Sequence, residues 1–140
     1  MQIRLDIAPT SSTVKDYAQD AVRTMQKVYG IQLDHSLDSL AHVDRVLHEW
    51  REGGAPLEAV TKSLYALGSY TGEVLVQQAH GRWLAPPVEQ FGELDGLFLF
   101  VRLPGNREWR PIALAFYNLL NEPETSLEAS ARRVLASKPK

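Results

Sequence analysis

Glu73 sits in a run that is otherwise apolar and thinned by glycine, Leu67-Gly68-Ser69-Tyr70-Thr71-Gly72-Glu73-Val74-Leu75. A carboxylate placed there could serve as a buried general base or as a polar recognition anchor. The helical period puts it on a side with Tyr70 and Gln77. The structural alternative is an ion pair with Arg82, Arg102 or Arg110 that would hold helix to sheet, since buried carboxylates are usually retained through pairing. A second grouping lies downstream, where Arg82-Trp83 and Trp109-Arg110 each set a tryptophan beside an arginine. If their strands pair, the four could meet. Trp and Arg dominate binding hot spots because they combine large area with planar hydrogen bonding. The structural alternative here is that the indoles fill the core while the guanidinium groups point to water. The candidate binding set is therefore Tyr70, Glu73, Arg82, Trp83, Trp109 and Arg110, and no residue is assigned a catalytic role.

Other chemistries find little support. The chain has no cysteine, which excludes disulfides, thiolate metal sites and cysteine nucleophiles. Asp38/His42 and Asp44/His48 have helical spacing but fall on different faces, and neither His-x-x-x-His nor His-Glu-x-x-His occurs, so no metal and no cofactor is expected. There is no nucleophile elbow, Ser-x-x-Lys, P-loop or dinucleotide fingerprint. Gly68-x-x-x-Gly72 has the form of a membrane-helix contact motif, yet Lys62, Glu73, Gln77 and Gln78 share its helix, so the spacing predicts close packing in a water-soluble chain.

With 140 residues, 44% hydrophobic and 23% charged, the composition suits one globular domain spanning residues 1–140. A formal net charge of −2 argues against general nucleic-acid binding, which draws its affinity from clustered Lys and Arg. The alternation of the first residues and Asp6 do not fit a signal peptide, and no stretch has the length of a membrane span. A cytoplasmic protein is expected.

The elements that must position these residues read in order. Gln2 to Ile7 alternate as a half-buried strand. The Thr10–Thr13 cluster caps a first helix that stops at Gly30. Ser36 caps a second, with Leu37, Leu40, Val43, Leu47 and Trp50 as its seam, broken by Gly53-Gly54. Pro56 starts a long third helix, supported by a Glu58/Lys62 pair and terminated by Gly81. Short extended segments follow at 82–85 and 88–91. Leu97 to Leu103 is the clearest strand, apolar on both sides and so central and covered twice. Pro104-Gly105-Asn106 turns the chain into a returning strand at 108–110. Pro111 opens a fourth helix that Glu122-Pro123 closes, and Thr125-Ser126-Leu127-Glu128 has the form of a capping box for a fifth. The pattern predicts an α+β fold, mainly helical, about five helices with a small antiparallel sheet of three to four strands.

Leu67-Gly68-x-Tyr70-x-Gly72-Glu73 followed by Gly81-x-Trp83 resembles a motif of small bacterial proteins of unknown function, in which a long helix with Gly-x-Tyr-x-Gly-Glu leads into Gly-x-Trp and a short sheet. The similarity covers mainly residues 36–121. It implies an accessory or immunity-type protein rather than an enzyme. The expected function is a non-catalytic binding protein that acts through a protein partner, as an immunity or adaptor factor for a toxin or a secretion system. Two alternatives stand beside it: a small-molecule binder or enzyme using Glu73 as acid/base with Tyr70 as its hydrogen-bond partner, and a homodimer or larger assembly built on the glycine-bearing helix face.

Overall fold

One helix is buried on all sides and the rest of the chain is laid around it. In the computed structural model, which describes residues 7–87, 95–120 and 126–137, every residue from Leu64 to Leu75 of α3 (Leu57–Ala79) is buried. The sequence predicts a single broad apolar face there. Small residues make the fuller burial feasible, and Thr61 and Thr71 return their hydroxyls to the carbonyls of Leu57 and Leu67, both at 2.7 Å, so those two hidden hydroxyls cost little.

α1 (Val14–Thr24) lies along α3 and continues as a π-helical turn over Met25–Tyr29 that ends on Gly30 in the left-handed conformation. Ser36 accepts from the Ser39 N–H at 3.1 Å, capping a 3₁₀ turn that leads into α2 (Leu40–Glu52). α4 (Pro111–Leu120) crosses α3 on another side, and α5 (Leu127–Ala136) packs mainly on α2. Between α3 and α4, β1 (Arg82–Leu84), β2 (Phe100–Leu103) and β3 (Arg107–Trp109) form an antiparallel sheet in the order β1-β2-β3. The result is an α+β domain, mainly helical, with five α-helices and a three-stranded sheet among the described residues.

Several boundaries differ from the sequence expectation, each for a local reason. Pro56 is the N-cap residue in extended conformation, one position outside α3. His80, with φ of 59°, takes the left-handed stop assigned to Gly81. Gly81 is needed instead for closeness, because a Cβ there would lie 2.5 Å from Val101 Cγ1. No Glu58–Lys62 ion pair forms among the described residues, both side chains being exposed and free to favour water. Ser126 caps α5 and accepts from the Ala129 N–H at 3.1 Å, so the helix starts one residue later than a box on Thr125 would place it. β2 begins only at Phe100, preceded by a turn at 95–98. Of its second covered face, Phe100 is buried but Arg102 is half-exposed. The expected N-terminal strand, apart from Ile7, the segment 88–91, the Glu122-Pro123 stop and Thr125 lie outside the described residues.

The glycine spacing does what its sterics predict. A Cβ on residue 68 would stand 2.6 Å from the Ile112 Cα, so α3 and α4 meet backbone to backbone at that point. No helix among the described residues is long and apolar enough to cross a membrane.

Candidate functional site

The sheet sorts its side chains into two faces, and the register says which residues share each. Trp83 is opposite Val101 and Val101 opposite Trp109, which gives one row turned toward the helices, and all three are buried. Arg82 is opposite Arg102 and Arg102 opposite Glu108, which gives the next row on the other face.

Four residues of the sequence-derived binding set belong to the inner frame. The Trp83 indole N–H donates to Glu73 Oε1 at 3.0 Å, both groups being buried at 8% and 6% exposure. Glu73 thus takes a neutral donor, and no arginine pairs with it among the described residues. The Arg102 considered for that role is instead bonded to Glu108 at 2.6 Å across the strands. Tyr70 is wholly buried, and its hydroxyl meets Ser39 Oγ at 2.6 Å while accepting from the His35 N–H at 2.9 Å. Burial pushes the Tyr70 phenol above its ordinary pKa, against the opposing pull of those two hydrogen bonds. Gln78 Nε2 donates to the His35 carbonyl at 2.9 Å, so both backbone groups of His35, held at φ of 64°, are tied to α3. Tyr70 and Glu73 therefore serve different neighbours, and no hydrogen bond joins the two. The Trp109 indole N–H donates to Ser130 Oγ at 2.9 Å and fastens α5 to the sheet.

The remaining two, Arg82 and Arg110, belong to the outer face. Phe100 lies there with the guanidinium carbons of Arg102 and Arg110 each 5.6 Å from its ring centroid. Arg82 is exposed and has no hydrogen-bond or ion-pair partner among the described residues. Beside it opens a shallow cleft of about 410 Å³ lined by His80, Arg82, Arg102 and the Leu103–Asn106 turn. No carboxylate is among those lining residues. The sequence offered Arg102 only as a partner for Glu73, and it did not single out His80 or Asn106. The one available signal was the outward parity of Arg82 and Arg102 in their strands, which needs the register before it means anything.

The histidines take ordinary roles. His42 and His48 ring nitrogens face Arg45 and Arg51 at 3.4 and 3.2 Å, Asp38 pairs with Arg132, and Asp44 caps α5. Among the described residues no group of three or more His, Cys, Asp or Glu side chains is placed to hold a metal ion. The glycine-bearing face of α3 is filled from within the chain, by Ile112, Trp83 and Pro111, and is not a free surface.

No family model, curated protein or solved structure matches this chain.

Proposed function

We propose that this chain is a non-catalytic binding protein that works by contacting another protein, and that the contact is made by the outer face of the sheet. The observation that carries this reading is the division of the sheet. Its tryptophans and the two polar residues of the glycine motif are spent on the frame, while on the face turned away from the helices Arg102 and Arg110 approach Phe100 and Arg82 stands opposite Arg102. Rigid elements that fix planar guanidinium groups suit recognition. Nothing in the frame supplies the convergent acid, base and cavity that a catalytic reading requires. The resemblance to small bacterial proteins favours an accessory or immunity-type role, and on our reading the chain is a cytoplasmic immunity or adaptor factor whose partner is a toxin or a secretion component.

The test is co-expression with the product of the neighbouring open reading frame. The chain should co-purify with that product and protect the cells that make it. Arg82→Ala, at an exposed position, should abolish both effects without lowering the melting temperature, while Lys15→Ala on the exposed side of α1 leaves them unchanged. A neighbour product that is neither bound nor neutralised overturns the reading.

A further inference from the structure

Arg82 and Arg102 are direct cross-strand partners, and like charges so placed repel. A fold selected for stability alone would set an acid opposite Arg102 on both sides. Here it does so on one side only, where Glu108 takes an Arg102 Nη at 2.6 Å and holds the guanidinium in orientation. On the other side stands a second arginine with no partner among the described residues, and the Arg102 Nε is buried without a hydrogen-bond partner. The cleft beside this pair adds His80, and Asn106 in the left-handed conformation, with no acid among the described residues that line it. On a chain whose net charge is −2, this is a local excess of positive charge.

We propose that the Arg82–Arg102 pair and the adjoining turn form a recognition cleft for an acidic segment of a protein, whose Asp or Glu carboxylates supply the charge the row lacks. The inference rests on the protein-partner reading above and names the chemistry of that partner. Arg82 can donate to a carboxylate in fork geometry, while Arg102, with one Nη held by Glu108 and its Nε buried, can add a single N–H from its other Nη. Nucleic acid suits the face less well. The Phe100 ring is buried, with two guanidinium groups near it, and offers no open stacking surface, and a cluster this small neutralises few phosphates.

The experiment is a titration of the full chain with a hexaglutamate peptide, followed by amide NMR shifts. The peptide should move Arg82, Arg102, Gly105 and Asn106 and should bind about tenfold more weakly to Arg82→Gln. A hexaglutamine peptide should move nothing. Arg82→Glu places a carboxylate opposite Arg102, so it should raise the melting temperature while losing the peptide, a combination that a purely structural arginine would not give. The proposal is overturned if the cleft amides stay still, if Arg82→Gln binds the peptide unchanged, or if inorganic phosphate or a short oligonucleotide moves the same amides at lower concentration than the peptide. A neighbour-encoded partner that binds wild type and Arg82→Gln equally also overturns it, and with it the placing of the contact at Arg82, while a protein partner as such still stands. Peptide binding with no such partner leaves the cleft chemistry standing and removes the partner reading.

Discussion

The indole of Trp83 occupies the space that a side chain on residue 72 would need: a Cβ built on Gly72 would be 2.1 Å from Trp83 Cζ2 and 3.0 Å from Pro111 Cγ. Glycine at 72 is thus what lets β1 lay its tryptophan flat on α3, with the indole N–H then falling within reach of the carboxylate one residue further along.

Gly72→Ala should therefore destabilise the chain in spite of the helix propensity it gains. Alanine is worth about 1 kcal/mol over glycine inside a helix, whereas forcing a buried ring to move typically costs about 1–3 kcal/mol. The ring here is also fastened by its hydrogen bond, so the steric cost wins and a net loss of up to about 2 kcal/mol is expected. Gly68→Ala, which meets the Ile112 backbone rather than a side chain, should lose at least as much. Urea midpoints for the two variants check both statements, and a midpoint above wild type for either would contradict them.

How far the sequence foretells this arrangement depends on what each step needs. Helices α1 to α5 follow from periodicity and caps, because those are local. The close approach at Gly68 and Gly72 follows as well, because two glycines inside a long helix are costly without a neighbour to admit. What touches them does not follow. That Glu73 meets an indole and not an arginine depends on the register of β1 against β2, which a three-residue strand does not encode by itself. The same register decides that Arg82 and Arg102 share an outward row. The helix stop moves from Gly81 to His80 because a steric demand across the sheet outranks the local preference for glycine in the left-handed region.

The Trp83–Glu73 bond can be weighed with a double-mutant cycle. Hydrogen bonds to charged groups contribute about 1.5–3 kcal/mol, and leaving a buried carboxylate without its donor costs a similar amount. Trp83→Phe and Glu73→Leu should each destabilise strongly, Glu73→Gln only mildly because an amide oxygen still accepts, and Glu73→Leu together with Trp83→Phe by less than the sum of those two single changes. A coupling of roughly 1–2 kcal/mol from chemical denaturation is expected. Additivity of the two would mean that the bond contributes nothing.

Asp44 on α2 holds the start of α5 from outside it. Its carboxylate accepts from Ser126 Oγ at 2.8 Å, the Leu127 N–H at 2.7 Å and the Glu128 N–H at 3.1 Å, so one side chain satisfies donors that a helix N-terminus leaves open. Asp44→Ala should cost about 1–2 kcal/mol. The loss should be concentrated in α5, where the backbone amides would exchange faster with deuterium while those of α3 keep their protection. Uniform acceleration across the chain would show that Asp44 acts on the fold as a whole.

Alkaline stability should report the Tyr70 network. Burial raises the phenol pKa in the folded chain above the ordinary value of about 10, so above that pH the unfolded chain releases a proton that the folded chain retains. The stabilisation is fully present below pH 10 and is lost as pH climbs through the folded-state value. Tyr70→Phe removes this proton linkage along with the bonds to His35 and Ser39, so it should begin less stable at neutral pH, by about 1–3 kcal/mol, and then decline less steeply through the alkaline range. Unfolding free energies of the two proteins measured from pH 8 upward should converge. Parallel curves would show that the Tyr70 hydroxyl keeps the same proton affinity in the folded and unfolded chain.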